Sequence, residues 1–516
     1  MTHRIAVLQL PGVNCEPETC RALERAGLAA EIVRWTRNDL DGFDGFVIPG
    51  GFSFQDRVRG GAIAAREPVI AAVIDAAAAG KPVVGICNGA QVLVESGLVP
   101  GLESGRVEMA LAPNRMPDRR GYYSQWVHLR VDGAPSVATG GLAMGTVLPM
   151  PIAHAEGRFV TRDPATAAAL EAGGQIVLRY AAPDGGPAGG PPHNPNGSLL
   201  DAAGISNAAG NVVAMMPHPE RAATLSQVAW ELEGAWGGRR RAARTLAALD
   251  EAGPGLEIFR AMRHYLDGER SRLAGGETAA GAAARGGGEA PVAAPEVAEA
   301  AAASAVASGW EAPGRQVLFL TVALRGADPT ALTATYAVRH RLGLGSEIAA
   351  LERLQLWRFD VAAPSVAEAL DRARGWVTQS QLFVNPNQHV YRLEGAGEAT
   401  RPAVVDGVWI AVGDRPDQEG VAATRLVRER LGGTALVEAR RAVVWQLRFA
   451  PGVDTARRRA CAAEVAVART RQRGLLANPH YQAAHVVDPP TPAAAARALW
   501  DGGAVAVSLT PPETPV

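Results

Sequence analysis

Lysine is nearly absent from this chain of 516 residues: Lys81 is the single one, and arginine supplies the rest of the positive charge. With 51 basic and 52 acidic residues the formal net charge is -1, which argues against a surface built for nucleic acid or for anionic lipid. Cysteine is scarce as well. Cys15, Cys20, Cys87 and Cys461 are the only four; they show neither the C-x-x-C spacing of a zinc site nor the density of a disulfide scaffold, so the sequence predicts no metal and a reducing, cytoplasmic setting. No apolar run is long enough to span a bilayer, and the one at residues 5–10 is too short for a signal peptide, which predicts a soluble protein with no membrane partner. A P-loop and a dinucleotide fingerprint are missing too, so no nucleotide cofactor is expected on this chain. The length predicts two to four domains at about 100 to 200 residues each.

What is present begins as alternation. Apolar runs at residues 5–10, 30–35, 45–49 and 83–86 are separated by helical patterns at 16–27 and 69–79, an order that predicts an α/β parallel sheet with helices on both faces. In such sheets ligands bind beyond the carboxyl ends of the strands.

One of those ends carries V-V-G-I-C-N-G-A-Q-V-L, residues 83–93. A strand that stops at Gly-x-Cys-x-Gly and restarts as a helix presents Cys87 on a tight turn, with helix N–H groups aimed at the sulfur and favouring thiolate. This is a nucleophile elbow with sulfur in place of oxygen. The alternative is a buried structural thiol at a strand end. A second strand runs into Gly50-Gly51, within P-G-G-F-S-F-Q-D, where backbone N–H groups can face a neighbouring strand end. Far downstream, N-V-V-A-M-M-P-H-P-E-R at 211–221 takes an apolar strand into His218 and Glu220. The flanking prolines predict extended backbone, in which residues i and i+2 share a side, so the Glu220 carboxylate can hold the His218 ring. A thiol, an imidazole and an orienting carboxylate are the parts of a nucleophilic triad.

These three segments resemble those of the class I glutamine amidotransferases, a flavodoxin-like fold. Within that class, N-P-N-G-S at 194–198, A-G-I-S-N at 203–207 and P-I-A-H-A-E-G-R-F at 151–159 resemble the glutaminase subunits of phosphoribosylformylglycinamidine synthase. The resemblance covers roughly residues 1–272. It implies Cys87 as nucleophile, His218 as general base and acid, Glu220 as its orienting group, the N–H groups of Gly51 and Asn88 as an oxyanion hole, and Gln91 as a contact to substrate glutamine. It also implies a separate large synthetase as partner, which binds ATP and Mg and uses the released ammonia in purine biosynthesis. Two positions depart from that pattern: Gln55 and Ala155 stand where glycine is expected. Residues 132–145 read as a Gly- and Ala-rich surface insertion.

From 273 to 314 the composition collapses to Ala, Gly, Glu and Pro, predicting a flexible linker. Beyond it the chain repeats itself. A-T-Y-A-V-R-H-R-L-G at 334–343 matches A-T-R-L-V-R-E-R-L-G at 423–432, and each copy has a strand before that helix, a Trp-bearing strand after it, Ala-Pro, a second helix and an Asn-Pro before a last strand. The pattern predicts a duplicated small α+β domain, at 315–396 and 404–490, with a tail at 491–516. The strand at 354–359, L-F-V-N-P-N at 382–387 and L-L-A-N-P-H-Y-Q at 475–482 resemble the small bridging subunit of the same synthase. Two rival readings stay open on the sequence: an amidotransferase serving another acceptor, and a regulatory fusion whose repeats sense a ligand.

Overall fold

The computed structural model describes residues 2–116, 121–274, 296–299, 314–400, 407–488 and 490–501. They fall into two compact units, the first holding the described residues up to 274 together with 469–471 and the second those at 296–468 and from 472 on.

The first unit opens with β1 (Arg4–Gln9), α1 (Glu16–Arg25), β2 (Ala29–Arg34), β3 (Gly45–Ile48), α2 (Pro68–Ala78), β4 (Val83–Ile86) and α3 (Asn88–Glu95). It continues through β5 (Ala110–Pro113), β6 (Tyr123–Val131), β7 (Val147–His154), β8 (Glu156–Val160), α4 (Pro164–Ala172), β9 (Ile176–Ala181), β10 (Ala202–Ser206) and β11 (Val212–Met215). Helices α5 (Gly234–Ala242), α6 (Leu246–Leu249) and α7 (Leu256–Ala274) close it. Nine strands form one sheet in the order β2-β1-β3-β4-β11-β10-β9-β6-β7. Strands β3, β4 and β11 are buried at every residue, as expected of parallel strands covered on both faces.

The register positions the site. Ile48 pairs with Gly85, and Ile86 with Met215, all in parallel. Three adjacent strands therefore end together, and the segments just beyond them bring Gly50, Cys87 and His218 out at one edge.

The sheet is not parallel throughout. From β11 outward, through β10, β9, β6 and β7, every pairing is antiparallel. The cause is connection length: β10 and β11 are joined by residues 207–211 alone, enough for a hairpin and far too few for a helical crossover. The predicted surface insertion at 132–145 is also tucked in more than expected, since Val137 and Ala138 are fully buried.

The second unit contains β12 (Glu296–Glu299), β13 (Arg315–Leu324), α8 (Pro329–His340), β14 (Ile348–Ala362), α9 (Val366–Gln379) and β15 (His389–Gly395). It then runs β16 (Val408–Asp414), α10 (Gln418–Arg430), β17 (Leu436–Phe449), α11 (Thr455–Ala466), β18 (Gln482–Asp488) and α12 (Pro492–Trp500). The order strand, helix, strand, helix, strand thus occurs twice. Its sheet runs β12-β18-β16-β17-β14-β13-β15, antiparallel at every pairing except β12 with β18. In each set the first strand lies between the second and the third, and the second strands, β14 and β17, meet at the centre. Asp328 and Asp417 accept N–H groups at the starts of α8 and α10, matching caps at matching places.

Two expectations change here. The predicted linker is not all tether: α7 reaches Ala274, and Glu296–Glu299 pairs with β18, while 275–295, 300–313 and the end of the chain from 502 lie outside the described residues. The predicted tail begins with α12, capped by the Thr491 side chain, because Pro492 followed by an alanine-rich run starts a helix readily.

Candidate active site

Cys87 holds φ 52° and ψ -104°, a backbone conformation that L residues rarely adopt and that costs about 1 to 3 kcal/mol. Close packing forces it. A Cβ on Gly89 would stand 1.8 Å from the Ile48 carbonyl oxygen, and one on Gly85 2.6 Å from that of Gly89. The two glycines of the elbow therefore serve close approach, with α3 pressed against the end of β3. The Cys87 N–H is tied to Met215 O at 2.8 Å, and its thiol, almost wholly buried, points at Ala153 O across 3.6 Å.

His218 and Glu220 are buried to within 2 % of full, and His218 Nδ1 lies 2.5 Å from Glu220 Oε1. The carboxylate reaches the ring, but not by the extended route the sequence predicted. Backbone is extended at His218 and then turns at once into a 3-10 turn over Pro219–Ala222, which folds Glu220 back under the imidazole. Burial works against a charge on His218, yet Glu220 and the thiols of Cys87 and Cys15 outweigh it and hold the ring well above 6.5.

The Gly50-Gly51 turn lies against that ring: a Cβ on Gly50 would come 2.7 Å from His218 Cε1. What fixes the turn is the segment after β1, which sequence reasoning missed. Asn14 and Cys15 both donate their N–H to Gly50 O, at 3.4 and 3.3 Å, while Phe52 N–H donates to Gly12 O at 2.9 Å and Phe54 N–H to Pro11 O. In a trans peptide the C=O and the next N–H point opposite ways, so the Gly51 N–H is turned away from this brace. The Asn88 N–H sits at the start of α3, where no intrahelical partner exists.

The side chains of Asn88 and Gln91 are occupied by the protein. Asn88 Oδ1 accepts from Ser53 N–H at 2.9 Å, and its Nδ2 donates to Asp56 Oδ1 and to Gln91 Oε1 at 3.0 and 2.8 Å. Gln91 Nε2 donates to Glu156 O at 2.7 Å. The first turn of α3 thus buttresses the loop after Gly51. That loop is strained: Phe54, Gln55, Asp56 and Val58 all have positive φ. Gln55, at φ 58°, keeps the left-handed backbone that explains glycine as the expected residue there. Burial first, and the neighbouring Glu156, push the Asp56 carboxyl up to about 7, against the opposing pull of the Asn88 amide.

His154 follows Ala153, whose carbonyl faces the Cys87 thiol, and lies near His218. It is fully enclosed, with Nδ1 3.0 Å from Asn114 Oδ1, and burial, then His218, press its pKa down to about 3. Asn114 Oδ1 also accepts the Gly157 N–H at 3.2 Å, so it is an acceptor for both, and the imidazole carries its proton on Nδ1. Ala155 is accommodated because Gly157 is the residue that must be small: a Cβ there would overlap the His154 ring. Phe52 and Tyr122, both half exposed, stack with ring centroids 6.3 Å apart beside the site. No motif announced them.

A strained cysteine beside a carboxylate-held histidine can attack a carbonyl, and two main-chain donors can hold the resulting oxyanion. Residues 2–266 match the family described as CobB/CobQ-like glutamine amidotransferase domain. The phosphoribosylformylglycinamidine synthase subunit PurQ of Methanothrix thermoacetophila is 47% identical over 277 residues, which take in 52% of this chain and 100% of that protein. The PurQ subunit of Thermus thermophilus is 45% identical over 219 residues, 42% of this chain and 89% of that one. A solved structure, that of PurLQS from Thermotoga maritima, aligns at 30% identity with a TM-score of 0.39, covering 52% of this chain and 100% of that chain. The chain belongs to the CobB/CobQ-like glutamine amidotransferases and, within them, to the family of the PurQ subunits.

Proposed function

We propose that this chain is the glutaminase component of phosphoribosylformylglycinamidine synthase in purine biosynthesis, and that it passes ammonia to a separate ATP-dependent synthetase. The observation that carries the reading is the meeting of Cys87 with the His218–Glu220 pair at one sheet edge. The identity of the first unit to whole PurQ subunits supports the choice of acceptor.

In the first step Cys87 gives its S–H proton to His218, and its sulfur forms a bond to the side-chain carbonyl carbon of glutamine. The C–N bond breaks, His218 delivers its proton to the leaving nitrogen, and ammonia departs, leaving a glutamyl thioester. Water then attacks the thioester; its proton goes to His218, the C–S bond breaks, and glutamate leaves. The N–H groups of Gly51 and Asn88 hold the oxyanion in both steps, each donor being worth about 2.7 to 4 kcal/mol. Gln91 lies one helical turn from the nucleophile, where its remaining hydrogen-bonding capacity can meet the substrate. ATP and Mg belong to the synthetase, which uses them to amidate formylglycinamide ribonucleotide.

The second unit is read as two fused copies of the small bridging subunit. The repeated element order, the matching Asp328 and Asp417 caps and the central β14–β17 pairing support that. A reducing cytoplasm suits the chain's four free cysteines. Copurification with the large synthetase, followed by glutamine-dependent amidation, tests the reading. Formation of formylglycinamidine ribonucleotide from glutamine supports it; stimulation of glutamine hydrolysis by an unrelated synthetase alone overturns the choice of acceptor.

A further inference from the structure

We propose that Cys15, His218 and Glu220 together form a binding site for one soft divalent cation, with Zn²⁺ as the best-fitting ion, and that its occupation shuts off the cysteine chemistry. The inhibitory half rests on the glutaminase reading above; the binding half does not.

The donor set suits such an ion. A thiolate sulfur, an imidazole nitrogen and a carboxylate oxygen are the ligand types zinc takes. Here one ligand atom from each of the three residues lies within 4.8 Å of the others. Bonds of about 2.0 to 2.3 Å in tetrahedral geometry set such donors about 3.3 to 3.7 Å apart. Closure therefore asks for movements of about an ångström, drawing the sulfur in and opening the 2.5 Å contact between His218 and Glu220.

The site also holds an unspent lone pair. Glu220 Oε2 makes no hydrogen bond of ordinary geometry, although the residue is 1 % exposed. Cys15 is fully buried as well. A buried carboxylate oxygen left in that state is costly, and a cation beside it offsets that cost.

The segments are far apart in sequence, which is why the cysteine spacing gave no hint. Cys15 stands at the start of α1, and the other two lie just beyond β11. The charged neighbours are Arg221, whose Nη2 donates to Cys15 Sγ at 3.1 Å, and Glu18, which holds Arg221 at 2.9 Å. Burial holds the Cys15 thiol above its ordinary pKa, against the weaker pull of His218 and of this guanidinium; the Arg221 side chain is 38% exposed and can withdraw toward Glu18 when a cation arrives. Binding replaces the Cys15 S–H bond by a sulfur–metal bond and releases the proton to solvent. It also draws His218 and Glu220 apart, so that the carboxylate no longer orients the ring for proton exchange with Cys87.

Titration of the full chain with Co²⁺, followed by its sulfur-to-cobalt charge-transfer absorption, tests this. One Co²⁺ per chain is expected, displaced by Zn²⁺, with the band kept in Cys87→Ala and lost in Cys15→Ser together with at least tenfold of the affinity. Cys15→Ala serves if the serine variant does not fold, and Glu220→Gln is expected to weaken binding by a similar factor with the band intact. A band that survives removal of Cys15, a band that vanishes with Cys87, or no band at all overturns the site. In a glutaminase assay, one equivalent of Zn²⁺ should cut the rate of the unmodified chain at least tenfold and leave Cys15→Ser largely unaffected. Equal inhibition of both overturns the inhibitory half. Because the absorption needs no glutamine turnover, failure of the glutaminase reading and failure of the site remain separable.

Discussion

Glu220 Oε1 sits 2.5 Å from His218 Nδ1, both residues buried and only two positions apart, with a 3-10 turn closing the gap between them. The pair fixes the ring so that Nε2 is the atom left for chemistry. Glu220→Gln keeps the shape and removes the charge. Glutamine hydrolysis should fall by about a hundredfold through kcat with KM little changed. A fall confined to KM would assign Glu220 to substrate binding instead.

The same pair sets a pH dependence. His218 is held well above 6.5 in the folded chain, so its contribution to stability is complete below 6.5 and is lost as pH rises through the folded value. His154, pressed down to about 3, acts the other way: its contribution is complete above 6.5 and is lost as pH falls toward about 3. Each proton sets a slope of at most about 1.4 kcal/mol per pH unit. Urea midpoints across pH should fall on both sides of 6.5. His218→Gln should remove the alkaline loss and His154→Gln the acid one; unchanged profiles would refute the assignments.

Gly12 is the hinge of the brace beneath the Gly50-Gly51 turn. It has φ 95°, and a Cβ there would stand 2.2 Å from the Phe52 carbonyl oxygen. Gly12→Ala should shift that turn and cost at least tenfold in kcat, while alkylation of Cys87 by iodoacetamide, which uses no oxyanion donor, proceeds at an unchanged rate. Equal losses in both would show damage to the nucleophile itself.

Gln55 occupies a left-handed position at φ 58°. Gln55→Gly should stabilise the chain by about 0.5 to 1 kcal/mol by relieving that backbone, a gain readable as a higher denaturant midpoint. A loss would mean that the contact from Arg57 to Gln55 Oε1, at 2.6 Å, matters more than the strain.

The tight turn at Cys87 was legible because Gly-x-Cys-x-Gly after an apolar run allows few backbones, and the meeting of Glu220 with His218 was expected from their closeness in sequence, although a 3-10 turn rather than extended backbone brings it about. The parallel half of the sheet followed from alternation. Its antiparallel half did not, although the short connection at 207–211 carries the signal. The brace at residues 11–15 was hidden for a different reason: it works through main-chain bonds to Gly50 and Phe52, about forty residues on, and side-chain identity says nothing of those. Cys15 was passed over because spacing rules look along the chain, whereas His218 and Glu220 reach it only through the fold.

The central claim is that Cys87 carries the glutamyl group. Its direct measurement is glutamine-dependent and ammonia-dependent amidation by the chain and its synthetase, with and without Cys87→Ala. The account predicts that the variant loses the glutamine-dependent rate and any thioester adduct while ammonia-dependent synthesis continues. Glutamine-dependent synthesis persisting in Cys87→Ala would contradict it.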